Sequence, residues 1–246
     1  ATPHLGASTE EAQIAVAVDV ARSIVDYFQG KGTKNAVNVP TVDPEVLEQI
    51  RPYLYLGEKL GLLLAQLVEG KILQMDIKYL GKAAEYETTP VTVSIIKGLL
   101  TPILAESVNY VNASVLAKER GIKITESKTQ TTEHYADLIQ VDIKTDKKDT
   151  SVAGTMLARE DTRIVMIDHF DVEAVPDGYM LLISNKDVPG IVGQIGTLLG
   201  DNHINIAGMT LGRDMLGGQA RTLIKIDGEI SDALMKQIRQ QKNILD

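Results

Sequence analysis

The sequence predicts an α+β chain, on three observations. Long stretches with apolar residues every three to four positions alternate with short stretches in which they recur every second position. Helix-start signals and strand-like runs follow one another in a mixed order, which suggests an α+β domain. The last ~70 residues run strand, helix, strand, strand, helix, strand, the βαββαβ order of a ferredoxin-like domain.

The elements follow in chain order. Ser8, with Glu11 three residues on, reads as a capping box, and Gly30 as a stop, so 8–30 is predicted to be one helix with Ile14, Val18, Ala21, Val25 and Phe28 on its apolar face. "KGTKNAVNVP" is a polar linker ending in an edge strand. Asp43 and Pro44 form an N-cap and first helical residue, and Pro52 should break or kink that helix. A second helix over 53–69 carries Leu56, Leu60, Leu63, Leu64 and Leu67 on one side, with Gly57 and Gly61 permitting close packing.

"KILQMDIKYLG" switches to period two through Met75, Ile77 and Tyr79. Thr89-Pro90 and Thr101-Pro102 each read as a cap and helix start, and "VNASVLAKERG" as a short helix stopped by Gly121. "IKITES", "DLIQVDIKT" and "TRIVMIDHF" read as strands, and "KTDKKDT" as a solvated hairpin. In the final domain "YMLLISN", "NIAGMTLGRD", "QARTLIKID" and "ILD" are the strands, and "GIVGQIGTLLGDNH" and "SDALMKQIRQQ" the helices. The predicted domains are 1–40, 41–175 and 176–246.

Composition bounds the function. The 246 residues carry 25 Lys and Arg against 33 Asp and Glu, a net charge of −8, which argues against nucleic acid or an anionic membrane as the main partner. The absence of Cys excludes disulfides and thiolate chemistry and fits a cytoplasmic protein. His134, His169 and His203 show no metal-ligand spacing, so no metal site is expected and a structural role is predicted for all three.

In "NKDVPGIVGQIG" a strand meets a helix whose first N–H groups lack partners within it. An amino-acid carboxylate suits that end, with Asp187 facing the ammonium and Asn185 or Asn205 bonding the remainder. The plain alternative is a βα turn shaped by Asp187 and Pro189. Residues 179–246 resemble an ACT domain, the small-molecule sensor of many amino-acid pathway enzymes. The resemblance implies Asn185, Asp187 and Asn205 as effector contacts, with Val188, Pro189 and Gly190 lining the turn by backbone, and places the ligand between two ACT sheets.

"TPHLGASTEEAQ" resembles the last active-site segment of the D-2-hydroxyacid dehydrogenase family. With an ACT tail, the match narrows to the branch that oxidises 3-phosphoglycerate with NAD, whose longer members carry an intervening domain where residues 41–175 stand. The resemblance implies His4 as the catalytic proton acceptor in the intact enzyme, Leu5, Gly6 and Ala7 beside the nicotinamide, L-serine as effector, and a homo-oligomer joined through ACT domains. In relatives the intervening domain takes a phosphate-bearing, substrate-like anion, for which Arg159, Arg163 and Lys225 are the candidates here. The sequence has no G-x-G-x-x-G after a strand, since Gly190, Gly193 and Gly196 are wrongly spaced within a helix. These residues alone are therefore expected to be inactive, as the C-terminal half of a longer enzyme. A stand-alone or serine-dehydratase-type effector module is the alternative, and "TPHLGASTEEAQ" speaks against it.

Overall fold

The computed structural model describes residues 8–29, 44–104, 107–132, 134–158 and 161–245. His4, Leu5, Gly6, Ala7, Gly30, the linker 31–40, Asp43 and Arg159 lie outside the described residues. The chain divides into two units, Ala1–Arg51 and Pro52–Asp246.

In the first unit, α1 spans Glu10–Phe28 and is capped by Thr9, not Ser8: the Thr9 hydroxyl accepts from the Ala12 N–H at 3.2 Å. Thr9 is the residue with extended backbone, so Ala12 takes the third helical position and Glu11 falls one residue short of closing a capping box. Ile14, Val18, Val25 and Phe28 are all exposed on α1.

Helix α2 (Pro44–Leu67) runs unbroken through Pro52, correcting the expected break. Proline removes one N–H bond and costs about 3 kcal/mol inside a helix. The stripe of Tyr53, Leu56, Leu60 and Leu64, all buried, outweighs it, since each such side chain contributes about 1.5–3 kcal/mol when removed from water.

The second unit holds a six-stranded sheet in the order β2-β1-β3-β4-β5-β6. Its strands are β1 (Ile72–Gly81), β2 (Lys123–Thr129), β3 (Asp137–Thr145), β4 (Thr150–Ala158), β5 (Asp161–Ile167) and β6 (Phe170–Ala174). β1 and β2 pair in parallel and every other pair is antiparallel. The parallel pair needs a crossover, supplied by α3 (Thr89–Leu100) and α4 (Ala113–Glu119). Met75, Ile77 and Tyr79 alternate inward with Ile139, Val141 and Ile143 of β3, and this core continues into α2 and α3. The opposite face carries Asp76, Lys78, Asp142 and Lys144, where ion pairs cross from Lys78 to Asp142 (2.9 Å) and from Lys144 to Asp76 (3.7 Å).

Three expectations in this unit change, and one strand goes unread in the sequence. α3 is capped at Thr88, one residue early. Thr101-Pro102 starts no helix: Thr101 ends α3, its hydroxyl donating to the Lys97 carbonyl at 2.7 Å. "TRIVMIDHF" is not one strand but β5 and β6 joined by a tight turn, where Asp168 takes φ 54°, a left-handed conformation that Asp tolerates. β4, "TSVAGTMLA", escapes the period-two reading because its burial does not alternate. Val152, Ala153 and Thr155 are buried in succession, so both faces are covered here, and on one of them a Cβ at Gly154 would stand 2.7 Å from the Leu56 side chain.

The C-terminal elements are β7 (Tyr179–Lys186), α5 (Ile191–Asp201), β8 (Ile206–Arg213), β9 (Gln219–Ile226) and α6 (Asp232–Arg239), with sheet order β7-β9-β8. The closing strand shrinks to a single antiparallel bridge, Asn185 to Ile244. With that bridge beside β7, the ferredoxin-like order holds. One face of this sheet packs on α5 and α6 through Leu181, Ile183, Ile195, Leu199 and Ile224. From the other, Leu223, Met180 and Leu182 join the core of the first sheet. Among the described residues no helix is long and apolar enough to cross a membrane.

Candidate functional site

Strand β7 delivers Asn185, Lys186 and Asp187 to its C-terminal end, and the chain turns through Val188, Pro189 and Gly190 into α5. Gly190 adopts φ 97° as the N-cap, a conformation that costs glycine little and other residues much more. No side chain caps α5, and its first internal bond runs from the Gln194 N–H to the Gly190 carbonyl at 2.9 Å. The N–H groups ahead of Gln194 therefore point out of the helix end, where a negative charge is favoured. Val188 packs against the core of this sheet, while Pro189 is exposed.

Asp187 sits beside that helix end with its carboxylate only 18% exposed. Its Oδ2 accepts from the Gly217 backbone N–H at 3.1 Å and from Nη1 of Arg213 at 3.3 Å. Asn185 faces inward, 1% exposed: its Nδ2 donates to the Lys186 carbonyl and its Oδ1 accepts from the Thr222 hydroxyl, both at 2.9 Å. Asn185 thus ties β7 to β9 beneath the turn.

Asn205 is elsewhere. It precedes β8, whose first residue Ile206 pairs with Ile226, which in turn pairs with Tyr179 at the start of β7. Asp187 follows Lys186, which pairs with Gln219 at the far end of the same strands. Seven or eight residues at about 3.3 Å each separate the two ends, roughly 25 Å. Within one chain, Asn205 is not brought to Asn185 and Asp187, and its Nδ2 donates instead to Asp227 at 2.7 Å.

The side chain that does reach Asp187 is Arg213, which the sequence reading passed over. The signal was present in the predicted order: in βαββ the first and second strands run the same way, so their C-terminal ends lie on one edge. A cation closing β8 is thereby placed near an acid following β7.

Of the three basic residues expected to grip an anion, the two within the described residues are each paired with carboxylates. Arg159 lies outside the described residues. Arg163 is paired with Asp161 and lies 3.8 Å from Glu173, and Lys225 is paired with Asp177. Carboxylates thus neutralise both cations. A different groove, about 510 Å³, opens where the two sheets meet, its walls carrying Lys144, Lys148, Arg221 and His169 beside Asp142, Asp149 and Asp168. Arg221 bonds Asp168 at 2.9 Å with both side chains largely buried, and its guanidinium lies 5.8 Å from the Phe170 ring centre. His169 stacks on the same ring at 4.0 Å. The tight turn at Asp168 and His169, invisible to a periodicity argument, is what aims these groups into the groove.

Comparison with known proteins places this geometry. Residues 49–168 match the D-3-phosphoglycerate dehydrogenase intervening domain, and residues 179–243 match the ACT domain. Over the whole chain, the sequence is 42% identical to the D-3-phosphoglycerate dehydrogenase of Synechocystis, 38% to that of Archaeoglobus fulgidus and 34% to that of Bacillus subtilis. The chain spans 44% of the first relative's length and 47% of each of the other two.

Proposed function

We propose that this chain, which carries the intervening domain of the D-3-phosphoglycerate dehydrogenases followed by an ACT domain, is the regulatory C-terminal portion of such an enzyme and senses L-serine. The whole protein oxidises 3-phosphoglycerate to 3-phosphohydroxypyruvate with NAD in the route to serine, with His4 as proton acceptor and Leu5, Gly6 and Ala7 beside the nicotinamide. The observation that carries the sensing role is Asp187, a partly buried carboxylate held beside an uncapped helix N-terminus. One pole faces an ammonium and the other a carboxylate, the two charges every free α-amino acid bears.

The separation of Asn205 from that corner supports an oligomer as the sensing form. β8 is an edge strand. Two β8 edges paired antiparallel about a two-fold axis bring the start of one strand against the end of the other, so that Asn205 of a second copy meets the Asp187 corner of the first. Serine then stabilises the paired state and biases the intact enzyme toward lower activity, with a typical coupling of about 1–3 kcal/mol. The groove between the sheets, where Lys148 and His169 stand among its walls, is our candidate for the phosphate-bearing anion.

Calorimetric titration with L-serine tests the site. The wild-type chain is expected to bind, and Asp187→Ala to bind at least roughly tenfold more weakly, as removal of a charge-assisted partner demands. Equal heats from both chains dismiss Asp187 as the ammonium partner. Light scattering with and without serine tests the pairing: a mass that does not depend on serine or on Asn205→Ala removes the two-copy site.

A further inference from the structure

Arg213 is the feature of this corner that nothing above assigns. Its guanidinium closes β8, is about half exposed, and has a single partner among the described residues, Asp187. The 3.3 Å contact is long for a charge-assisted bond, which ordinarily falls near 2.7–2.9 Å. Asp187 also accepts from the Gly217 N–H and its side chain is 18% exposed, whereas that of Arg213 is 54% exposed. The negative pole is thus fixed and the positive pole loosely seated, with most of its five N–H donors uncommitted.

We infer that Arg213 is a carboxylate-binding, specificity-determining residue of this site: an α-amino acid inserts beside Asp187 with its ammonium on that carboxylate, and its own carboxylate is shared between the N–H groups that open α5 and two parallel N–H groups of Arg213. The inference rests on the amino-acid reading above. Insertion exchanges one ion pair for two of the same sign pattern, so neither protein charge is left unpaired. An amine without a carboxylate displaces Arg213 from Asp187 and offers it nothing, which leaves two cations side by side. The site therefore selects zwitterions rather than cations. The guanidinium fork matters because it matches a carboxylate in two places at once, which the point charge of a lysine cannot do.

L-serine and L-serinamide, which differ only in that carboxylate, separate the possibilities by calorimetry near pH 6, about two units below the ordinary α-amino pKa, where the amines stay protonated. The wild-type chain is expected to prefer serine roughly tenfold or more. Arg213→Gln is expected to weaken serine binding while leaving serinamide binding unchanged or tighter, so that the preference falls toward one, and Arg213→Lys to fall between. Asp187→Asn is the complementary control and is expected to weaken both ligands. If Arg213→Gln weakens both ligands equally and the preference persists, Arg213 only braces the β8–β9 hairpin and the assignment is overturned. If the wild-type chain binds serinamide as well as serine, the carboxylate is not read and the assignment also falls, while the ammonium site at Asp187 stands. Uptake of neither ligand removes the amino-acid reading itself, and this assignment with it.

Discussion

Replacing Gly61 by Ala is expected to destabilise the Pro52–Asp246 unit by about 3 kcal/mol or more. An added Cβ there would stand 2.2 Å from the Ile95 carbonyl oxygen and 2.7 Å from the Leu99 nitrogen, both backbone atoms of α3. No flexible side chain can yield, so α2 and α3 must part. Gly98 makes the reciprocal contact, where a Cβ would meet the Glu58 carbonyl at 2.2 Å. The sign of the effect is decided by this contact. In an open helix, Gly→Ala gains about 1 kcal/mol of propensity, and Gly196 in α5, with nothing within 4 Å of a new Cβ, is expected to show that gain. Urea unfolding of the two variants checks both directions through the midpoint at constant slope. A Gly61→Ala chain as stable as wild type would mean the helices cross further apart than described.

Removing the Asp137 carboxylate is expected to cost about 3–5 kcal/mol, because three donors converge on it in the core. Asp137 is 4% exposed at the start of β3. Its Oδ2 accepts from the Tyr53 hydroxyl at 3.0 Å, and its Oδ1 accepts from the Thr155 hydroxyl and the Met156 N–H, both at 3.0 Å. One side chain thereby ties α2 to β4 through the first residue of β3. Burial, and after it the neighbouring Asp137 charge, push the Tyr53 phenol well above its ordinary pKa, so it stays a donor across the working range. Asp137→Ala strands the Tyr53 hydroxyl and the Met156 N–H, while the Thr155 hydroxyl keeps its 2.6 Å bond to the backbone carbonyl of residue 137. Asp137→Asn is expected to recover most of the loss, to within about 1 kcal/mol of wild type. The amide oxygen serves Thr155 and Met156 while the NH₂ donates to the Tyr53 oxygen, which can accept as well as donate. Thermal or urea unfolding of the two variants distinguishes the cases, and an Asn variant as damaged as Ala would show that the negative charge itself, rather than its acceptor atoms, holds this junction.

The contrast between these two positions shows how far a linear reading reaches. Gly57 and Gly61 stand out in the sequence as small residues on a Leu stripe, and the helix crossing follows from them. Asp137 does not stand out, because a lone acid at the head of an apolar strand looks like a solvated end. Pro52 and Thr101-Pro102 misled for a related reason: both are strong local signals, and burial of the α2 stripe overrode the first, while at the second Thr101 caps the C-terminus of α3 instead of starting a helix.

The sequence by itself determined the element types over most of the chain, the α+β class, and the strand-turn-helix corner at Asn185 to Gly190. Those properties are local, written in side-chain period and in the conformations that Gly, Pro and Asp permit. Only the tertiary structure decided that Arg213 meets Asp187, that Asn205 lies a full strand length away, that Arg163 and Lys225 are neutralised, and that His169 and Arg221 share a groove. Each of these depends on which strand hydrogen-bonds to which and in what register, and that is set by pairing between residues tens of positions apart, which periodicity along a single segment does not encode.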